Sequence, residues 1–267
     1  MIHPTALVHA GASLGKEVTV GPFSVIDKDV VVGDGCFLGP NVYLTGHTII
    51  GQRNRFHAGA VIGDAPQDLK YRDEPTRLII GDDNVFREHA TVHRATKLDG
   101  RTEIGSNCFF MAGSHVGHNC RLGDHVIIAN GALLSGHVTV GDRAFVSGNC
   151  LVHQFTTIGT LAMMQAGSGI SLDLPPFCVA SGGNQMCGLN TVGLRRAGIA
   201  SGQRVELRRV YQMLFRRQGL LREAIAAVES ETLSAPGRLL LDFVKSSKRG
   251  VCPHGRSRDF QKTDSEE

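Results

Sequence analysis

The sequence predicts an all-β parallel β-helix followed by a small α-helical region, on three observations. Large apolar residues recur every six positions from Ile2 to about residue 170. Smaller residues recur two positions before each of them. Beyond residue 172 the six-residue pattern stops, and apolar residues take helical spacing instead.

The frame runs through Ile2, Val8, Leu14, Val20, Ile26, Val32, Leu38, Leu44, Ile50, Phe56 and Ile62. Asp68 and Glu74 break it. It resumes at Ile80, Phe86 and Val92 and runs from Ile104 to Met164. The accompanying small slot holds Ala6, Ala12, Val18, Ser24 and Cys36, and later Cys108, Ser114, Cys120, Ala132 and Cys150. Positions two apart in a strand face the same side, so both slots point inward. Glycine often follows the large residue, as at Gly15, Gly21, Gly33 and Gly51, and is read as the corner residue. Three faces make a triangular coil of about 18 residues, and coils stack at roughly 4.8 Å.

The expected β-helix spans residues 1–189, with loops extruded near 64–79 and 95–103. The first contains APQDLKYRDEPT, polar and carrying two prolines; the second is ATKLDGRTE. Leu98, inside the second, is discounted from the frame. Residues 190–250 are expected to be α-helical, with a helix over 201–217 capped by Ser201. Its apolar face is read as Val205, Val210 and Leu214, continued by Leu220, Ile225 and Val228. Another helix is expected after Pro236. Residues 251–267 are polar and expected to be a disordered tail.

Composition agrees with small, aliphatic coils: 33 glycines, three tyrosines and no tryptophan in 267 residues, 42% of them apolar. A net charge of +3 does not argue for nucleic acid. There is no apolar run long enough to span a membrane and no secretory leader pattern. The seven cysteines include no C-x-x-C pair, so a reducing, cytoplasmic setting is expected and no metal site.

Cys36, Cys108, Cys120 and Cys150 occupy the small inward slot and are read as core filler. The histidines behave oppositely: eleven of twelve lie in the repeat and none in an inward slot. On the 18-residue period, His118, His137 and His153 fall together on successive coils, with His115 beside His118. His93 joins them one coil earlier if the second loop excludes one six-residue rung. Imidazole suits general-base catalysis near neutral pH. A backbone N–H at a glycine corner such as Gly136 suits an oxyanion. His115-x-x-His118 could instead be a metal pair, but no nearby carboxylate or cysteine completes a ligand set.

GHTIIG at 46–51, APQDLKY at 65–71, HRAT at 93–96, HVGHNC at 115–120, LSGHVTVGD at 134–142 and VHQFTTIG at 152–159 appear in order. With DLPPF at 173–177 and GLRRAG at 193–198, the chain to about residue 250 resembles the UDP-N-acetylglucosamine O-acyltransferases that begin lipid A synthesis. The resemblance implies a left-handed β-helix and a homotrimer with active sites between neighbours. It implies transfer of a 3-hydroxyacyl group from acyl carrier protein to the glucosamine 3-hydroxyl, with the thioester as co-substrate and no cofactor. It assigns His118 as general base and Gly136 as oxyanion donor. Gln67, Asp68, Lys70, His115, His137, His153, Gln154, Asn190 and Arg196 match substrate-binding or orienting positions, and His93 matches a motif position beside them.

The chain departs from some members in three places. Asn119 follows the catalytic histidine where they carry Asp, so a charged dyad is replaced by an amide. Ala197 replaces the second arginine of an Arg-Arg pair, although Arg195 precedes Arg196. Near Gln165 and Ala166 some members carry the glycine that sets acyl length, so a shorter tail is expected here. Arg195, Arg196, Arg204, Arg208, Arg209, Arg216, Arg217 and Arg222 form either a solvated face or a dock for an acidic carrier protein. Four other functions fit parts of the pattern: acylation of a 3-amino sugar nucleotide, the later N-acyltransferase of the pathway, a non-catalytic sugar-nucleotide binder, and a metal hydratase. The N-acyltransferase family carries an additional N-terminal domain, and here the repeat begins at Ile2.

Overall fold

The computed structural model describes residues 1–216 and 219–255. Strands of mostly two residues build three walls of nine, eight and ten strands, parallel except for the last strand of the ten-stranded wall, in a left-handed β-helix. The eighteen-residue coil is visible in the register: Leu7 pairs with Val25 and Val8 with Ile26. Both inward slots are filled as the frame requires, from Val18 and Val20 to Ala162 and Met164. Phe56, Phe86 and Phe110 stack through the interior with ring centroids 4.9 and 4.6 Å apart. Each fully buried ring or branched chain contributes about 1.5–3 kcal/mol. Asn54 and Asn84 occupy inward slots and satisfy themselves in a ladder: Asn84 N–H donates to Asn54 Oδ1 at 3.0 Å, and Cys108 N–H to Asn84 Oδ1 at 2.7 Å.

The glycines after the large residues are required for a different reason from the one expected. Gly15, Gly21, Gly33 and Gly51 have no left-handed φ; that conformation falls two residues later in the turn, at Glu17, Phe23, Asn119, His137 and Phe155 among others. Gly21 is instead needed for close stacking: a Cβ there would lie 2.7 Å from the Gly39 carbonyl carbon of the next coil. Coils at strand spacing leave no room for a side chain at that corner.

The extruded loops are shorter than expected. Strands Val61–Asp64 and Arg77–Ile80 bound the first, leaving 65–76, and Leu78 belongs to the core. Strands Thr91–His93 and Arg101–Ile104 bound the second, leaving 94–100, with Leu98 exposed. Ile50 pairs with Ile80 and Ile80 with Ile104, so the loops expel twelve and six residues and the frame continues in phase.

The coil also continues past residue 172. Strand Cys178–Ser181 pairs in parallel with Met163–Met164, and Gln185–Leu189 turns back antiparallel on it. Helices α1 (Thr191–Arg196), α2 (Ser201–Tyr211), α3 (Leu221–Glu229) and α4 (Ala235–Ser246) follow, with a π-helical turn over Gln212–Arg216. Ser201 is the first helical residue rather than the cap, and the Gln203 side chain accepts from Ala200 N–H instead. The buried face of α2 is Leu207, Val210 and Tyr211; Val205 is 65% exposed and Leu220 is also exposed. Helix α4 begins at Ala235, with Pro236 inside its first turn where a missing N–H costs nothing.

The expected tail is ordered at its start. Val251 pairs with Asp173 and His254 with Met186, and Cys252 is fully buried. The Asp173 carboxylate accepts from Thr157 N–H and Ser247 Oγ, both at 2.7 Å, so this stretch closes the end of the β-helix. Arg217 and residues 256–267 lie outside the described residues.

Candidate active site along a histidine edge

The strands carrying His93, His115, Leu133 and Leu151 are consecutive neighbours in the nine-stranded wall. One corner of that wall therefore carries His93, His118, His137 and His153 on successive coils. The rings of His93 and His115 meet edge to face at 4.8 Å, and those of His118 and His137 at 5.2 Å. Phe155 stacks on His137 at 4.5 Å. The backbone beneath holds this cluster tightly, since Asn119 and His137 both adopt φ near +60° and His137 N–H donates to His118 O at 2.8 Å.

His93 is an exception to the outward rule. Although outside the two inward slots, it is only 6% exposed, because it sits at the root of both loops, paired with Asp64. Its Nδ1 is buried with no hydrogen-bond partner. Burial lowers its pKa, with the neighbouring His118 and Arg94 charges acting in the same direction. His115 is held down to about 4, first by burial and then by His93 and His118. Thr91 Oγ1 lies 2.7 Å from His115 Nδ1 and fixes that ring. Burial also lowers His137. Burial therefore favours the neutral imidazole at His93, His115 and His137.

His118 Nδ1 lies 2.9 Å from Asn119 Oδ1. The rest of the ring lies against Gly136, one coil on: a Cβ at that glycine would fall 2.5 Å from His118 Nε2. Gly136 N–H donates to no protein acceptor among the described residues. Among the described residues no group of three or more His, Cys, Asp or Glu is arranged to hold a metal ion.

Gln67 and Lys70 are exposed on the first loop and Asp68 is half-buried. Asp68 turns the loop by accepting from Lys70 N–H at 2.9 Å. Its carboxylate and the Lys97 ammonium of the second loop both act electrostatically on His137, so the two loops flank the histidine edge. Arg94 secures the first loop's base, donating to Tyr71 Oη at 3.1 Å and Gly63 O at 2.9 Å. His153 and Gln154 lie exposed one coil beyond His137.

Asn190 and Arg196 lie elsewhere. Asn190 caps α1 through Gly193 N–H and holds Leu161 O at 2.9 Å. With Arg196, Ala197, Met163 and Gln165 it lines a groove of about 610 Å³ along the ten-stranded wall. Gln165 faces this groove and Ala166 is exposed outside it. The two groups of sequence-predicted residues therefore lie on different walls of the chain.

The inward cysteines behave as filler. Burial pushes the Cys108 thiol up to about 11 and Cys120 to about 12, leaving neither as a nucleophile.

A family model described as UDP N-acetylglucosamine O-acyltransferase, domain 2, matches residues 173–252, and a bacterial transferase hexapeptide model matches 29–64 and 101–136. An acyl-[acyl-carrier-protein]–UDP-N-acetylglucosamine O-acyltransferase of Syntrophobacter fumaroxidans is 45% identical, covering 94% of this chain and 98% of the relative. Its namesake from Halorhodospira halophila is 46% identical at the same coverage. The chain belongs to the UDP-N-acetylglucosamine O-acyltransferase family. The structure of the UDP-N-acetylglucosamine acyltransferase from Campylobacter jejuni superposes with a TM-score of 0.90 at 36% identity, covering 96% of this chain and all of that one. Within this family frame, sequence reading found most of the edge but missed Thr91, Thr96, Lys97 and Phe155. Phe155 was within reach, since it follows His137 by one coil, as Gly136 follows His118.

Proposed function

We propose that the chain transfers a 3-hydroxyacyl group from acyl carrier protein to the 3-hydroxyl of UDP-N-acetylglucosamine, the entry step of lipid A synthesis. The observation that carries this is the placement of His118: Nδ1 tied to Asn119, the remainder of the ring against Gly136. His118 Nε2 takes the sugar hydroxyl proton as that oxygen attacks the thioester carbonyl. The tetrahedral oxyanion is held by Gly136 N–H. The C–S bond then breaks, and the carrier thiolate leaves with the proton from the imidazolium. His115, His137, His153 and Gln154 bind or orient the sugar nucleotide, and Gln67, Asp68 and Lys70 close over it, with His93 supporting the edge from below.

The groove bearing Asn190, Arg196 and Gln165 serves the remaining substrate portions. Its separation from the histidine edge in one chain favours a homotrimer in which neighbours complete each site. Exposed Leu133 and Leu151 on the outer face of the histidine wall support burial there by a neighbouring subunit. A second groove of about 360 Å³ sets Arg195, Arg204 and Arg208 beside Val192 and Val205, a basic and apolar surface fitting an acidic carrier protein. No helix among the described residues is long and apolar enough to cross a membrane, and a cytoplasmic location fits thioester chemistry and free cysteines.

The experiment is incubation with a ladder of 3-hydroxyacyl carrier proteins and either UDP-N-acetylglucosamine or its 3-amino analogue, with products identified by mass. The expected product is the 3-O-ester, and His118→Ala should lose at least about 100-fold in kcat. Near-normal turnover by that variant would refute the mechanism, and amide formation alone would reassign the acceptor.

A further inference from the structure

We propose that Thr96, on the second extruded loop, is a positioning residue that pins the Asn119 side chain and so selects the basic tautomer of His118. This rests on the reading of His118 as general base.

An amide presents two nearly isosteric ends. If its oxygen faces Nδ1, the imidazole carries its proton on Nδ1 and leaves Nε2 as a lone pair. If its nitrogen faces Nδ1, the proton moves to Nε2 and the base is lost. A carboxylate has no such ambiguity, but this chain carries Asn119. Something else must select the end.

Thr96 supplies that selection. Its backbone N–H lies 3.1 Å from Asn119 Oδ1 and its Oγ1 3.0 Å from the same atom. A backbone N–H can only donate, so the atom facing it must be the amide oxygen. The His118 Nδ1 at 2.9 Å from that oxygen must then donate as well, which leaves Nε2 unprotonated. The amide is held on its other sides too. Asn119 N–H donates to Thr102 Oγ1 at 2.8 Å, and Nδ2 packs beside Gly100, where an added Cβ would come within 3.4 Å. Residues from both ends of the 94–100 loop therefore grip the amide.

The test compares Thr96→Val and Thr96→Ser in the natural chain and in an Asn119→Asp background. Steady-state kinetics is paired with ¹⁵N NMR of the histidine rings at alkaline pH. Thr96→Val should lower kcat about three- to tenfold, the equivalent of one hydrogen bond, with KM unchanged. Thr96→Ser should restore kcat. In the Asn119→Asp background the Val change should cost less than about twofold, because a carboxylate presents an acceptor to Nδ1 whichever way it turns. The NMR spectrum should show His118 protonated on Nδ1 in the natural chain. Equal losses in both backgrounds would make Thr96 merely structural and overturn the proposal, as would a ring protonated on Nε2. Because the tautomer is read without turnover, a correct tautomer with full activity in His118→Ala would instead overturn the base assignment.

Discussion

Gly136→Ala isolates the contact on which the proposed chemistry depends. The new Cβ would stand 2.5 Å from His118 Nε2 and 3.0 Å from Nδ1. Ordinary contact needs about 3.5 Å, so the ring must retreat by about 1 Å. It cannot do so freely, because Asn119 holds its Nδ1 and His137 meets it edge to face. A 1 Å misplacement of a reacting group costs on the order of 100-fold. The variant should therefore lose about 100-fold in kcat while keeping KM within a few-fold. Gly136 lies on the corner and outside the core, so the unfolding midpoint should stay near that of the natural protein. In a His118→Ala background the ring is gone and the methyl finds space, so the same change should cost less than about threefold further. Kinetics of the single and double variants, with thermal unfolding alongside, decides the matter. A single variant with near-normal kcat, or an equal loss in both backgrounds, would refute the placement of His118 against this glycine.

Three further outcomes are expected. His115 is held at about 4 in the fold against about 6.5 in the unfolded chain, so acid favours unfolding. Its contribution is complete above about pH 6.5 and disappears as pH falls towards 4, worth about 3 kcal/mol at most; His115→Gln should flatten the fall in unfolding midpoint over that window, and an unchanged slope would refute it. Phe86→Ala removes the middle ring of the interior stack and should cost about 3–5 kcal/mol, measured by denaturant unfolding; a loss below 1 kcal/mol would show that the stack does not bear load. Arg204→Glu with Arg208→Glu should raise KM for the acyl carrier protein about tenfold or more at low salt, with kcat for chemistry unchanged in single turnover; an effect independent of ionic strength would count against docking there.

The coil was legible because its cause is local and repeated. Every sixth position must fill the same interior, so Val20, Leu38 and Phe56 each announce the same wall. The histidine edge followed from the same periodicity, including His93 one coil below His115. The role of the corner glycines was not legible: whether a glycine serves φ or close approach depends on the neighbouring coil, as Gly21 against Gly39 shows. The burial of His93 was not legible for a related reason, since it comes from the loop roots and lies outside the pattern of its own rung. The helical region suffered most. A short helix lying on a β-helix chooses its buried face by what it meets, so Leu207 and Tyr211 went inward while Val205 stayed out. Ser201 looked like a cap by residue type, yet the helix began with it.

A stack of coils touches only its immediate neighbours, which gives it a direction of failure. The N-terminal coil has a partner on one side only, and Met1, Ile2 and Leu7 remain exposed there. Opening starts from such an end and propagates rung by rung. The opposite end is sealed by the hairpin, α4 and the stretch from Ser247 to Gly255. The strands next to His93, His118 and His137 are the fifth to seventh of nine in their wall, with four ahead of them. The first turns can therefore fray in solution like the unplied end of a rope, and His93, His118 and His137 keep their spacing throughout.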